Sequence, residues 1–185
     1  MCIRDSFEVE GAYALIGIAN DKLIGVRDPL GIRPLVLGRL NESYILASET
    51  CALDIIGAKF IREIKNGEVV VITKDGLESY MPFPKKPERP CIFEYIYFAR
   101  PDSIVGGKSI YECRKVFGRE LSKESHIDAD MVIPVPDSGV PSAIGYAEQD
   151  GIPFELGITR NHYVCLLYTS PSPRDRTRSR MPSSA

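Results

Sequence analysis

Short apolar runs alternate with turn residues over the first 80 residues of the chain. The runs AYALIGIA, KLIGVRD, PLVLGRL and SYILAS follow one another from Ala12, separated by Asn20-Asp21, the segment 28–33 and Asn41-Glu42. Runs of this length bounded by such residues predict consecutive strands of a sheet. ETCALDIIG, at 49–57, has helical apolar spacing and ends on a glycine suited to a C-cap. AKFIREI and GEVVVIT then return to strand character, and a turn at 74–76 predicts a hairpin.

A proline-rich segment interrupts this pattern. MPFPKKPERP, at 81–90, holds four prolines, which neither a helix nor a central strand accepts. It is therefore predicted to be a linker between a structured block at 7–80 and a second one at 91–164.

The second block has a different periodicity. Apolar residues at 110, 113, 117 and 121 define one face of an amphipathic helix. MVIPVP then predicts a buried strand at 131–135, VPSAIGYAEQDG a helix ending on Gly151, and IPFELGI the next strand. Strand, helix, strand is a βαβ unit with a parallel sheet, so the fold class expected for the whole chain is α/β.

Composition excludes several classes of protein. Of the 185 residues, 44% are hydrophobic and 26% charged, which is typical of a globular protein, and no apolar run approaches the length of a membrane span. Five widely spaced cysteines without a CxxC pair argue against a disulfide framework. We expect a cytoplasmic protein without membrane association.

The chain ends differ from the body. Residues 165–185 carry four Arg and one Asp and residues 1–6 are neutral, so the total of −2 leaves −5 on 7–164. A body of that charge has no general attraction for nucleic acid. MCIRDS and the Ser-, Arg- and Pro-rich tail resemble translated sequencing adapters, so 1–6 and 165–185 are expected to be non-native, and the tail disordered.

The strongest candidate for a functional site is VPDSG at 135–139, between the end of the predicted strand and the start of the following helix. In a parallel sheet this edge binds ligands, and the N–H groups of a helix start attract phosphate. Gly139 would let a ligand approach closely, and the Ser138 hydroxyl could meet an oxyanion or phosphate-bound Mg²⁺. Asp137 or Ser138 acting as an ordinary N-cap explains the same pattern.

Longer segments favour the ligand-binding interpretation. The chain resembles the glutamine phosphoribosylpyrophosphate amidotransferase family at FEYIYFARPDS (93–103), VIPVPDSG (132–139), GYAEQDGIPFELGI (145–158), RNHYV (160–164), GAYALIGI (11–18), RDPLGIRPLVLG (27–38) and ASETCALD (47–54). FEYIYFARPDS is the most specific of these strings, because other glutamine amidotransferases carry strings like RDPLGIRPL. The resemblance covers essentially all of 7–164.

The resemblance implies both fold and activity. Residues 7–80 would be the later part of an αββα N-terminal nucleophile hydrolase domain, and 91–164 the start of a type I phosphoribosyltransferase domain. Such enzymes convert phosphoribosylpyrophosphate and glutamine to 5-phosphoribosylamine, glutamate and pyrophosphate in purine biosynthesis. In the family the nucleophilic cysteine begins an MCGI-type segment, whereas Cys2 is followed by Ile-Arg-Asp-Ser. We therefore expect no catalytic residue in this chain, and neither activity from it as an internal fragment.

Site residues carry over from the family by position. Substrate contacts are implied for Asp137, Ser138, Gly139, Asn161, His162 and Tyr163, with Ser138 also near Mg²⁺. An ammonia path is implied near Tyr95, Tyr97 and Arg100, although the tyrosines could equally be core aromatics. Cys91 matches a cysteine that binds a 4Fe–4S cluster in some members and none in others.

Partners follow from the same resemblance. It implies phosphoribosylpyrophosphate and glutamine as substrates, purine nucleotides as inhibitors and a homotetramer. The alternative is a phosphoribosyltransferase-like module that senses phosphoribosylpyrophosphate without turnover, but such a sensor has no use for the glutaminase-like residues 11–80.

Overall fold

The first part of the chain folds into two antiparallel sheets. The computed structural model describes residues 9–161. Its first seven strands are β1 (Ala14–Ala19), β2 (Lys22–Arg27), β3 (Val36–Leu40), β4 (Ser43–Ala47), β5 (Lys59–Glu63), β6 (Val69–Thr73) and β7 (Gly76–Tyr80), with helix α1 (Thr50–Ile55) between β4 and β5. One sheet has the order β1-β2-β6-β7 and the other β4-β3-β5. The predicted strands, the short helix and the hairpin at 74–76 are confirmed.

The two sheets pack face to face, and α1 covers one of them. Leu35 and Leu37, from β3 and the residues before it, form a core cluster with Val70 of the other sheet. Val36 points the opposite way and packs against Leu53 of α1. Alternation along β3 therefore builds two apolar layers, because successive side chains of a strand face opposite sides. These are two sheet layers and one helix layer of the four implied by the resemblance.

A buried aspartate shapes the connection between β2 and β3. Asp28 is fully buried, and its carboxylate accepts backbone N–H bonds from Leu30, Ile32 and Arg33 at 3.0, 3.1 and 3.1 Å. Arg27 donates to the carbonyls of Gly31, Arg33 and Ile64 from the other side of the loop. Hydrogen bonds to a charged acceptor are stronger than neutral ones, so RDPLGIRPL forms a rigid loop joining the sheets.

The proline-rich segment 81–90 contains no helix or strand and lies along the first half. The Arg89 N–H donates to the Leu30 carbonyl at 2.8 Å, and the Asn66 amide donates to Glu88 at 3.0 Å. Phe83 packs against the core cluster that contains Val26 and Val69. The domain boundaries drawn around this segment remain a prediction.

The second half is mainly helical. Its elements are a π-helical turn (Glu94–Phe98), the hairpin strands β8 (Ile104–Val105) and β9 (Lys108–Ser109), and helices α2 (Ile110–Glu124) and α3 (Val140–Asp150). α2 begins with Ser109 accepting from the Glu112 N–H, and α3 ends at Gly151 in the left-handed conformation. The two helices predicted from periodicity are confirmed as helices. The face of α2 that is buried carries Ile110, Arg114, Gly118 and Ser122, however, whereas Phe117 and Leu121 of the predicted apolar face are exposed.

The strand predicted over IPFELGI, at 152–158, is reduced to a single bridge at Phe154. The predicted buried strand at 131–135 is also wrong. The segment makes a single parallel bridge, between Val132 and Phe154, and Met131, Ile133 and Val135 are exposed. A buried parallel strand needs neighbours along both edges, and within residues 9–161 only the segment at 154 pairs with it. The α/β class nevertheless holds, since the order and direction of this bridge–helix–bridge unit are those of a βαβ crossover.

Candidate functional site

The VPDSG segment forms a tight turn directly before α3. Residues 136–139 are the turn, closed by bonds from the Gly139 N–H to the Val135 carbonyl at 3.2 Å and from the Val140 N–H to the Asp137 carbonyl at 3.4 Å. The Pro136–Asp137 peptide bond is cis. A Cβ on Gly139 would lie 2.8 Å from the Val135 carbonyl oxygen, so the turn requires glycine there.

The start of α3 has no side-chain cap. Gly139 occupies the N-cap position, and a proline lies in the first turn. Neither Asp137 nor Ser138 therefore caps this helix. The alternative interpretation of these residues as an ordinary N-cap required one of them to do so, and it is wrong. The positive end of the helix dipole points at the turn, which suits an anion.

An arginine that the sequence analysis did not select reaches this turn. Arg160 Nη1 lies 3.2 Å from Asp137 Oδ2, and both side chains are largely exposed. The Val132–Phe154 bridge is parallel, so the segments following it run to the same edge and bring 160 beside 137. The sequence feature that could have identified Arg160 is its position as the basic residue at the start of RNHYV. Asn161 follows in the chain, and His162 and Tyr163 lie outside the described residues.

The aromatic stretch lies where the two halves meet, a surface that we call the junction, formed by residues 94–106 against α1, β5 and the loop at 33. Glu94 is buried with Arg33 Nη1 2.7 Å from its Oε1, and the Arg33 guanidinium lies 5.2 Å from the centre of the Phe98 ring. Burial raises the pKa of Glu94; Arg33 opposes the rise, and Glu49 adds to it. The junction thus holds a buried carboxyl that sequence reasoning missed.

The three candidates for an ammonia path lie at different places on the junction. Tyr95 donates its hydroxyl to the Val105 carbonyl at 3.3 Å, and burial raises its pKa. Tyr97 is 63% exposed and packs edge-on against Phe98. Arg100 makes an exposed two-point ion pair with Asp102, at 3.0 Å for each bond. The structure therefore brings Tyr95 and the Arg100 backbone to the junction, while Tyr97 faces outward.

The described cysteines do not form a cluster site. Cys51 is buried, Cys91 and Cys113 are half-buried, and all three are free thiols. Within residues 9–161 no three His, Cys, Asp or Glu side chains are grouped to hold a metal ion. Cys91 alone does not fit a 4Fe–4S cluster, which takes four thiolates. Mg²⁺ is less demanding, because it is commonly held by substrate phosphates and few protein groups, and the Ser138 hydroxyl is compatible with that.

Comparisons with known proteins agree with this geometry. No family model matches the chain. An amidophosphoribosyltransferase of Rhizobium etli is 54% identical over 174 residues, covering 91% of this chain and 35% of that protein. The chloroplastic amidophosphoribosyltransferase 1 of Arabidopsis thaliana is 51% identical over 178 residues, covering 95% of this chain and 31% of the relative. The chain thus spans about a third of the length of these relatives.

Two solved structures are also similar to this chain, in fold as well as in sequence. The glutamine phosphoribosylpyrophosphate amidotransferase of B. subtilis, complexed with ADP and GMP, superimposes with a TM-score of 0.86 at 40% identity, covering 95% of this chain and 38% of that one. A structure described as the allosteric regulatory enzyme of purine biosynthesis gives 0.85 at 41% identity, with the same coverage. None of the helices within 9–161 is long and apolar enough to cross a membrane. In sequence and in fold, the chain is similar to the amidophosphoribosyltransferases over about a third of their length.

Proposed function

We propose that residues 9–161 are the part of an amidophosphoribosyltransferase in which a glutaminase-like half meets a phosphoribosyltransferase-like half. The whole enzyme would convert phosphoribosylpyrophosphate and glutamine to 5-phosphoribosylamine, glutamate and pyrophosphate, for purine biosynthesis. The observation that carries the proposal is the uncapped start of α3 behind the Asp137–Gly139 turn, in a chain 54% identical to a named amidophosphoribosyltransferase.

The turn suits the departing pyrophosphate. In this reaction negative charge builds up on the leaving group, so catalysis depends on N–H dipoles and cations placed to receive it. The α3 dipole supplies partial positive charge and Ser138 a hydroxyl. Mg²⁺, when bound with the substrate, would neutralise the phosphates. Arg160 is paired with Asp137 here and could turn to a phosphate when substrate arrives.

The junction suits the transfer of ammonia between halves. The Arg100 N–H donates to Glu49 across the contact between the halves, and the Glu63 charge acts on the pKa of Tyr95. An ion pair between the buried Glu94 and the half-exposed Arg33 crosses the same surface. Ammonia that meets water is protonated and lost as a nucleophile, so a closed contact between the halves has chemical value. We place any ammonia path along this surface, with Tyr95 rather than Tyr97 beside it.

Regulation, assembly and location belong to the same proposal. The B. subtilis relative was solved with ADP and GMP, and we expect purine nucleotides to inhibit the whole enzyme here too. A homotetramer and a cytoplasmic location remain predictions. The sensor alternative is less favoured, because hydrogen bonds and an ion pair at the junction join the phosphoribosyltransferase-like half to the glutaminase-like half.

A chimera tests the proposal. Residues 9–161 would replace the matching third of the Rhizobium etli relative, and phosphoribosylamine formation would be measured with glutamine and with ammonia. We expect turnover with either nitrogen source. A folded chimera that binds phosphoribosylpyrophosphate without turnover would support the sensor, and one that neither binds nor turns over would refute both. The 185-residue chain alone should show neither activity.

Ser138→Ala in this chimera tests the turn. Losing one hydrogen bond to a charged phosphate should raise the KM for phosphoribosylpyrophosphate roughly tenfold. Ser43→Ala, an exposed serine on β4, is the matched control and should leave KM unchanged. An unchanged KM in Ser138→Ala would remove this hydroxyl from the binding site. Glutaminase activity should be the same in all three proteins.

A further inference from the structure

Glu49 stands at the start of α1 yet does not cap it. Its backbone occupies the N-cap position, and its side chain makes no capping hydrogen bond. Instead Glu49 Oε2 accepts the Arg100 backbone N–H and the Ser103 hydroxyl, each at 2.8 Å. An acidic residue at a helix start normally stabilises its own helix. This one serves a segment 51 residues further along the chain.

Two neighbouring side chains bind the same segment in the same way. Thr50 Oγ1 accepts the Ile104 N–H at 2.9 Å, and Glu63 Oε1 accepts the Gly106 N–H at 2.7 Å. Side chains of the glutaminase-like half thus satisfy three backbone donors between 100 and 106. Backbone N–H groups need acceptors once they leave water, so these contacts fix the path of the segment.

The Glu49 charge also faces a buried guanidinium. Arg114 of α2 is 1% exposed and donates only to carbonyl oxygens in the bonds described, those of Tyr95 and Ala99 at 2.8 and 2.7 Å. Burial lowers the pKa of Arg114, and the nearby Glu49 carboxylate opposes that fall. Glu49 also acts on Glu94 of the π-helical turn, whose pKa it helps to raise. The Glu49 carboxylate therefore offsets part of the cost of burying the Arg114 charge.

The segment held by Glu49 is connected through hydrogen bonds and helix packing to the turn at 136–139. The Tyr111 N–H donates to the Pro101 carbonyl and the Ile110 N–H to the Ser103 carbonyl, so 101–103 is bonded to the first residues of α2. α2 packs closely on α3, and α3 begins at Val140, directly after the turn. These contacts form a continuous path from 100–103 to the turn, along which close-packed helices would transmit a shift of the segment.

We propose that Glu49 is a positioning residue that couples the two halves, holding the Arg100–Ser103 segment so that glutamine hydrolysis is linked to phosphoribosyl transfer. This rests on the proposed function. Glu49 touches no substrate. Its role is to hold the junction, which ammonia released from glutamine has to cross, in place against α1. Loss of a merely stabilising residue would lower the rates of synthesis with glutamine and with ammonia alike. Loss of a coupling residue lowers mainly the glutamine-dependent rate, because only that reaction needs ammonia to cross the junction.

The test compares nitrogen sources in the chimera. Glu49→Gln keeps the shape of the side chain and removes its charge, and Glu49→Ala removes both. We expect glutamine-dependent synthesis to fall at least about fivefold relative to ammonia-dependent synthesis, the lower end of usual coupling between sites. Glu42→Gln, in the exposed turn before β4, is the matched control and should keep the ratio. An unchanged ratio, or an equal loss with both nitrogen sources, would overturn the proposal.

Amide exchange on the 185-residue chain separates this inference from the proposed function. In Glu49→Ala the Arg100 amide should exchange at least about tenfold faster, because its acceptor is gone, while the Ile64 amide in the sheet core stays protected. Unchanged Arg100 exchange would refute the contact itself. An unmutated chimera without turnover would instead refute the proposed function, and the coupling role with it, even if Arg100 exchange rises.

Discussion

Two glycines set the distance between α2 and α3. A Cβ added at Gly118 would lie 1.9 Å from the Ser142 carbonyl oxygen, and one at Gly145 would lie 2.0 Å from the Lys115 carbonyl oxygen. Carbon–oxygen contacts below 3.0 Å do not occur at real Cβ atoms. Both obstacles are backbone, which cannot rotate away as a flexible side chain does. Gly118→Ala therefore has to push α3 outward by roughly 1 Å or more in a close-packed interface.

The size of the effect follows from two opposing contributions. Alanine in a helix interior gains up to about 1 kcal/mol over glycine. Overpacking costs about 1–3 kcal/mol, and a backbone clash on a helix face belongs at the upper end of that range or above it. We expect a net loss of about 2 kcal/mol, which lowers Tm by roughly 4–8 °C for a chain of this size.

Urea denaturation followed by far-UV circular dichroism measures this loss. Gly17→Ala is the control, because nothing lies within 4 Å of a Cβ at that position on β1 and its change should stay within about 0.5 kcal/mol. The double variant at Gly118 and Gly145 should lose less than the sum of the two, since one outward shift relieves both clashes. If Gly118→Ala stabilises the chain by the amount that helix propensity predicts, the helices are not packed at this point.

The remaining predictions concern two buried carboxylates. Asp28→Ala leaves three backbone N–H groups without their acceptor, so stability should fall by about 3 kcal/mol or more, seen as faster exchange of the amides at 30, 32 and 33. Burial alone would raise the pKa of Glu68, but hydrogen bonds from Arg62, Ser79 and the Lys65 N–H outweigh it and lower the pKa. Its contribution to stability is therefore present above the unfolded value near 4.5 and lost as pH falls through the lower folded value. Urea midpoints between pH 7 and 3 should fall more steeply for the parent chain than for Glu68→Gln, and parallel curves would contradict this.

Local chemistry explains which elements could be predicted from the sequence. Asn20 and Asn41 stand at positive φ in two-residue hairpin turns, and Gly151 ends α3 in the left-handed conformation. Each of these signals lies within a few residues of the element that it bounds. The periodicity of α2 and α3 is equally local. The number of strands in the first half and their succession along the chain could be predicted for the same reason, but their division between two sheets could not.

The features that could not be predicted depend on distant residues. Arg114 binds one backbone carbonyl within the π-helical turn, that of Tyr95, and the carbonyl of Ala99 just after it, and these residues lie 19 and 15 positions away in the chain. Glu49 has the pattern of an ordinary helix-start acid, and only the tertiary fold shows that it binds the segment at 100–103. Of the candidate site, the turn at 137–139 followed from its place before a helix. Arg160 did not, because the parallel bridge brings it there.

The parallel bridge also has a consequence for handling the chain in solution. Val132 and Phe154 pair with each other, and within 9–161 no strand lies on the outer side of either segment. Each segment therefore presents unpaired N–H and C=O groups beside exposed apolar side chains, among them Ile133 and Val135. Such edges are templates on which another molecule can add a strand. At high concentration this region is where copies of the chain would join by strand addition, and a lysine at 133 or 135 is the substitution that would oppose it.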